Sequence, residues 1–338
     1  MFLEIRGARM TVAADANALL ERITPIKLGQ LHPKLHEWYE PDALRKNVWN
    51  ALEEEAKYAT SREFTVGYAS SAPVVGATPE MYANRLVDLP HLGPSLCMIR
   101  YFGMNLARPF VNIAFSNHLP SSNDDLLEAT HALGREFEVF KPLHVRAYVP
   151  SHVRLELGRG AHWEKRLLAA PIRRLLERPE PANLSRVRLM PAENLDFYDQ
   201  YTAAYTDLHT RNPQHAEYAN PEDREDLEAY LNDGLLWTAH LDDAQTTDGW
   251  AGVVAAHREV LEGVRGFTVA EIVLNAKHRG QGLGAALNRR LIEALEPVAE
   301  NDDALIGTIH ARNAGAIKSA LKVGREDLGG YVWIEVKS

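Results

Sequence analysis

Three glycines at alternate positions stand in the run Lys277-His278-Arg279-Gly280-Gln281-Gly282-Leu283-Gly284. Glycine lacks a Cβ, so such a run turns sharply and brings successive backbone N–H groups close to an anion at a helix N-terminus. A phosphate is the natural occupant, and the neighbouring residues sort the ligands that use such a turn. A P-loop carries Lys after its last glycine, whereas Ala285 and Ala286 follow Gly284. Gly280, Gly282 and Ala285 satisfy the dinucleotide pattern GxGxxG/A. That pattern predicts an acid at the end of the next strand, and Ala311-Arg312-Asn313 supplies none.

The elements that must hold this turn are legible on both sides of it. In Phe267 to Asn275 the side chains alternate: Thr268, Ala270, Ile272 and Leu274 face one way, and Val269, Glu271, Val273 and Asn275 the other. Leu283, Leu287, Leu291 and Leu295 recur every four residues with Ile292 beside them, the apolar stripe of a helix over 283–295. Upstream, the patterns predict a strand at 186–190, helices at 192–208 and 221–233, and strands at 235–241, 249–257 and 266–275. Downstream they predict a strand at 304–311, a helix at 314–322 and a strand at 330–336. The order is that of a mixed α/β domain. Pro179 and Pro181 punctuate the chain before it, which places a boundary near residue 180 and gives domains 1–180 and 181–338. The basic run Lys165 to Arg178 reads as an amphipathic helix with a solvated face.

Arg279-Gly280-Gln281-Gly282-Leu283-Gly284 resembles the (Q/R)-x-x-G-x-(G/A) signature of the GNAT superfamily of acyl-CoA-dependent N-acyltransferases, at the strand-to-helix junction where that family places it. Asn313, Ala316 and Gly324 resemble the family's second motif, N-x-x-A-x-x-x-Y-x-x-x-G-F, and the likeness spans about residues 185–338. The resemblance implies a GNAT-like fold around a mixed sheet, with acetyl-CoA as co-substrate and no metal. It implies that backbone amides of Gln281, Gly282, Leu283, Gly284 and Ala285 hold the coenzyme A pyrophosphate, with Arg279, Gly280 and Asn313 also in the cofactor site. The pantetheine arm would lie along Ile272, Val273 and Leu274. Lys277, Arg289, Arg290 and Lys318 are candidates for the adenosine 3′-phosphate.

Moving an acetyl group to an amine requires a neutral nucleophile, a stabilised oxyanion and a proton for the leaving thiolate. Glu271, between Val269 and Val273 on an otherwise apolar strand face, is the candidate base. The resemblance runs the thioester past it and leaves N–H groups near Val273 and Leu274 for the oxyanion. The chain departs from the family pattern at Ala320, where a Tyr often protonates the thiolate, and at Arg325, where Phe usually follows the glycine. Tyr331, His310 and Ser319 are the possible stand-ins. Two functions follow: an N-acetyltransferase acting on a primary amine of a small molecule or peptide, or an acyl-CoA-binding sensor without turnover. Acceptor recognition falls to Asp207–Asp226, where Tyr205, His209, Arg211 and Glu217 could line a polar pocket.

The first half echoes the second. FVNIAF (110–115), a helical pattern over 124–140 and LHVRAYV (143–149) repeat the strand–helix–strand order. Between the first strand and the helix, however, Ser116 to Asp125 contains Pro120, Asp124 and Asp125 in place of a glycine turn. Proline lacks an N–H, and carboxylates occupy the place a phosphate would need. The first half therefore reads either as a degenerate copy of the same fold that does not bind coenzyme A or as an unrelated α/β domain.

Composition closes other routes. A net charge of −9 over 338 residues argues against general nucleic-acid affinity. A single cysteine, Cys97, excludes a disulfide scaffold and favours the cytoplasm. No window reaches the length of a membrane span, and HExxH, GxSxG and CxxC are missing. A monomer or homodimer without nucleic-acid or membrane partners is the expected state.

Overall fold

The computed structural model describes residues 15–241 and 250–337. Two compact units share the chain. The first comprises Met1–Lys165, Val260–Val264 and Leu328–Ser338, and the second Arg166–Glu259 and Arg265–Asp327. Among the described residues no helix is long and apolar enough to cross a membrane.

The first unit opens with four helices, α1 (Ala16–Gln30), α2 (Pro33–Trp38), α3 (Pro41–Tyr58) and α4 (Arg62–Ser71). Its strands are β1 (Arg85–Leu89), β2 (Gly93–Tyr101), β3 (Pro109–Ser116), β4 (His144–Pro150) and β5 (Ala161–Pro171), joined by the chain's last strand, β11 (Glu326–Glu335). Their order is β1-β2-β3-β4-β11-β5. β3 and β4 run parallel, connected by helix α5 (Asn123–Glu136), with Phe110–Ile113 against His144–Ala147. Leu126, Leu133 and Phe137 pack with Val111, Val145 and Ile334 in its core.

The second unit takes the end of β5 and the short helix α6 (Ile172–Leu176), then β6 (Val187–Pro191), α7 (Tyr198–Arg211), α8 (Arg224–Asn232) and β7 (Leu236–Leu241). It continues with β8 (Trp250–Leu261), β9 (Val264–Leu274), α9 (Gly284–Leu295), β10 (Ala304–His310) and α10 (Ala314–Lys322). The strand order is β5-β10-β9-β8-β7-β6. The Leu283–Leu295 stripe of α9 is buried to 0–1% exposure, and α9 packs against α6, α10 and β6.

Every element expected after residue 185 is present, with shifted ends. The first helix begins at Tyr198 rather than 192 because the Asn194 side chain accepts the Asp196 N–H at 2.9 Å, a local turn that competes with helix. The run 165–178 does not form one amphipathic helix. Leu167, Leu168, Ala169 and Ala170 are all buried, so both faces of this stretch are covered and it forms the second half of β5, leaving helix only at Ile172–Leu176. The units also divide elsewhere than at residue 180: the chain from Arg166 belongs to the second unit and Leu328–Ser338 to the first. Proline punctuation reports local chain direction and carries no information about such non-local strand pairing.

Candidate active site

Parallel pairing of β9 with β10 joins Gly266–Thr268 to Ala304–Ile306, while β9 continues to Leu274 and β10 to His310. Past β9, Asn275 Oδ1 accepts the Lys277 N–H at 3.4 Å, closing a tight turn over Ala276–His278. Gly280 and Gly282 then adopt φ +75° and +73°. Nothing lies within 4 Å of a Cβ placed on Gly280, so the backbone conformation, not space, requires glycine there. Gly284 differs: a Cβ on it would stand 2.5 Å from Ser319 Oγ, so this glycine lets α9 and α10 approach. Among the described residues no side chain caps α9, the end of a helix at which backbone N–H groups point outward.

Glu271 is 5% exposed. Its Oε2 accepts hydrogen bonds from Tyr201 Oη at 2.7 Å and Tyr205 Oη at 2.6 Å. These tyrosines lie four residues apart on α7, hence on one face. Tyr201 Oη accepts the Glu222 N–H at 2.6 Å, which ties the segment before α8 to the same network. Burial pushes the Glu271 carboxyl up to about 7, against the opposing hydrogen bonds of Tyr205 and Tyr201. Both phenols are raised in turn, by burial and then by the negative charge of Glu271. A carboxyl poised at neutrality can exchange a proton with a weak base near pH 7.

No family profile matches this chain, and no curated protein matches it either. Solved structures do. The chain is similar to a GCN5-related N-acetyltransferase from Sphaerobacter thermophilus at 13% identity and TM-score 0.50, covering 88% of this chain and 92% of that one. It is also similar to a GCN5-related glucosamine N-acetyltransferase region in a fungal multi-domain GH3 beta-N-acetylglucosaminidase, at 10% identity and TM-score 0.50, covering 97% of this chain and 38% of that one. The fold is that of the GNAT superfamily. A tandem GNAT protein from the clavulanic acid biosynthesis pathway matches at 13% identity and TM-score 0.44, over 82% of this chain and 97% of that one.

Within this GNAT fold the residues expected at the site separate by what their atoms do. Gln281, Gly282, Leu283, Gly284 and Ala285 form the turn into α9, with the side chains of Leu283 and Ala285 buried, so these two have only their N–H groups to offer. Ile272, Val273 and Leu274 lie on β9 beyond its pairing with β10. The guanidinium of Arg279 faces inward: it donates to Leu274 O at 2.9 Å and Ala204 O at 2.7 Å and pairs with Asp207 at 3.2 Å. It anchors the turn to α7. Asn313 Oδ1 accepts the Ala316 N–H at 3.2 Å and serves as the N-cap of α10. Arg289 and Arg290 both pair with Glu293 and donate to backbone carbonyls, Leu175 and Arg178 for the first and Val187 and Leu184 for the second. Lys277 is exposed.

Of the four polar residues expected to line the acceptor pocket, Tyr205 reaches Glu271. His209 bonds Ala219 O at 2.7 Å and so ties α7 to its connection with α8, Arg211 pairs with Asp207 along α7, and Glu217 pairs with Arg312 after β10. Tyr331 belongs to the first unit, where its Oη donates to Glu262 at 3.1 Å. Ser319 Oγ donates to Gly315 O at 2.9 Å, and the His310 ring stacks on Tyr218 at 4.0 Å. Tyr201 was not signalled by motif; its only sequence trace is the i, i+4 aromatic pair on one face of α7. Among the described residues no cluster of side chains could hold a metal ion.

Proposed function

We propose that the second unit is an N-acetyltransferase that takes its acetyl group from acetyl-CoA and delivers it to a primary amine of a small molecule or peptide. One observation carries the reading: the Glu271 carboxyl, brought to about 7 by burial, stands on β9 where pairing with β10 has ended, just before an uncapped helix N-terminus. Acetyl-CoA supplies the acyl thioester. The N–H groups of Gly282–Ala285 suit its diphosphate, and the free edge of β9 suits its amide-bearing arm. Glu271 accepts the amine proton, with Tyr201 and Tyr205 fixing the carboxylate. N–H groups near Val273 and Leu274 meet the carbonyl oxygen.

Ala320 is buried and carries no hydroxyl, so α10 has no phenol to protonate the leaving thiolate. General acid catalysis is typically worth about 10²–10⁴-fold, so solvent protonation slows turnover without abolishing it. Glu222, Asp223 and Asp226 lie together beside Tyr201, with the Glu222 carboxyl raised by burial and then by Asp226. That negative field favours a cationic acceptor. The lone Cys97 is buried, which supports a cytoplasmic setting. The test is thiol release from acetyl-CoA across a panel of polyamines, aminosugars and peptide amino termini. The reading expects turnover with a cationic amine, increasing as pH rises through about 7. Acetyl-CoA binding with no turnover on any amine would make this an acyl-CoA-binding module instead.

A further inference from the structure

Arg325 is a buried charge that the proposed chemistry does not use. It follows Gly324 at the end of α10, is 4% exposed, and its guanidinium lies between α9 and β10. On one side a terminal nitrogen donates to Asn288 Oδ1 of α9. On the other, Nη1 fills the space that a Cβ on Gly307 of β10 would need. Nε and Nη1 have no hydrogen-bond partner, and no carboxylate among the described residues pairs with the group. Burial lowers its pKa to about 10, which leaves it charged at neutrality.

A buried cation without a counter-charge destabilises a fold, and an apolar residue of similar volume would serve packing better. Its place gives it another use. Asn288, the residue it bonds, donates in turn to Gly284 O at 2.8 Å, in the first turn of α9. The other arginines around the Gly-rich turn each have a carboxylate partner, Arg279 in Asp207 and Arg289 and Arg290 in the Glu293 they share. Arg325 differs from these in having no carboxylate partner and in being buried, so its charge acts on the first turns of α9 through a medium that screens poorly.

We propose that Arg325 is an electrostatic anchor for a diphosphate at the N-terminus of α9, a positioning residue that raises affinity for the polyanionic part of coenzyme A without touching it. The proposal rests on the acetyl-CoA reading above. The test uses the full chain, calorimetric titration with coenzyme A and with inorganic pyrophosphate at several salt concentrations, and thermal unfolding without ligand. Arg325→Met should weaken both ligands about tenfold, the effect of one charge at roughly 10 Å and an effective dielectric of ~20. It should also flatten the salt dependence and leave Tm unchanged or higher. A purely structural guanidinium predicts the opposite pair, a lower Tm with unchanged affinity, and that result would overturn the proposal. Arg325→Gln removes the charge but keeps a donor for Asn288 Oδ1, and should weaken coenzyme A similarly; it decides the matter if the Met variant fails to fold. Binding within twofold of the parent chain in the variants that fold also refutes the anchor. If the unsubstituted chain binds pyrophosphate but not coenzyme A, the acetyl-CoA reading falls and the comparison of variants still judges Arg325. If it binds neither, both fall.

Discussion

Helices α5 and α9 hold the same place in their respective units, each following a strand and leading to a parallel partner, yet their first turns are built oppositely. At α5, Ser122 and Asp125 form a reciprocal capping box. The Asp125 carboxylate also accepts N–H groups from Ser121 at 2.7 Å and Ser122 at 3.2 Å; although burial acts to raise it, these bonds hold it down at about 2. A negative group of the chain's own fills the helix end. At α9 two glycines in the left-handed region lead to an uncapped turn. The strand edges differ in the same sense. Parallel pairing of β3 ends at Ile113, and beyond it Gln30 donates to Ser116 O and Asn117 O at 3.0 Å each. The cavity there, lined by Lys27, Gln30, Ile113 and Tyr148, is about 20 Å³, room for one water. In the first unit the chain's own groups fill the helix start and meet the strand end, whereas no side chain among the described residues caps α9 in the second.

The sharpest test of that contrast is the buried carboxyl of Glu271, to which the proposed chemistry gives the proton transfer. Glu271→Gln should lower kcat by about 10²–10⁴-fold with little change in acetyl-CoA affinity, measured by steady-state kinetics and calorimetry. It should also change the pH dependence of stability. The folded pKa of about 7 exceeds the ordinary 4.5, so the stabilisation is complete below 4.5 and is lost as pH rises through 7. The Gln variant should therefore unfold with a flatter pH profile and be the more stable protein at pH 8, by on the order of 3 kcal/mol. Tyr205→Phe removes a donor that favours the carboxylate, so the rising limb of the rate profile should move to higher pH by about one unit.

Smaller effects probe the turn itself. Gly282→Val should weaken acetyl-CoA more than tenfold at unchanged fold, because a left-handed backbone costs an L residue roughly 1–2 kcal/mol and the N–H groups would turn away. Gly284→Val should instead lower Tm through its collision with Ser319, and Ser319→Gly should restore it. Ser122→Ala with Asp125→Ala should cost about 1–2 kcal/mol of stability in denaturant titration. Coenzyme A should still bind once per chain to that double variant; a second equivalent would erase the distinction between the two helices.

Much of this was legible without coordinates, because it rests on local physics. The four-residue leucine repeat over 283–295 became α9, and the alternation over 267–275 put Glu271 on the buried side of β9. The glycine run marked the left-handed turn into α9, and Asp124 and Asp125 marked the acidic first turn of α5. The finer roles were not legible. Arg279 and Asn313 look like ligand contacts as letters, but their side chains satisfy Leu274, Ala204, Asp207 and Ala316. Nor does any pattern show that Tyr201 reaches a residue seventy positions away.

The amino-acid sequence by itself determined the order of elements after residue 185, the conformation of the Gly-rich turn and the acidity of the opposing helix start, since each depends on neighbours within a few residues. Only the tertiary structure decided that Glu271 sits near neutrality, that the missing side chain of Gly284 lets α9 and α10 approach, that Arg325 stands charged without a counter-ion, and that the last strand belongs to the first unit. Those properties come from burial and from contacts between distant segments, and desolvation exists only once the chain has closed around the group.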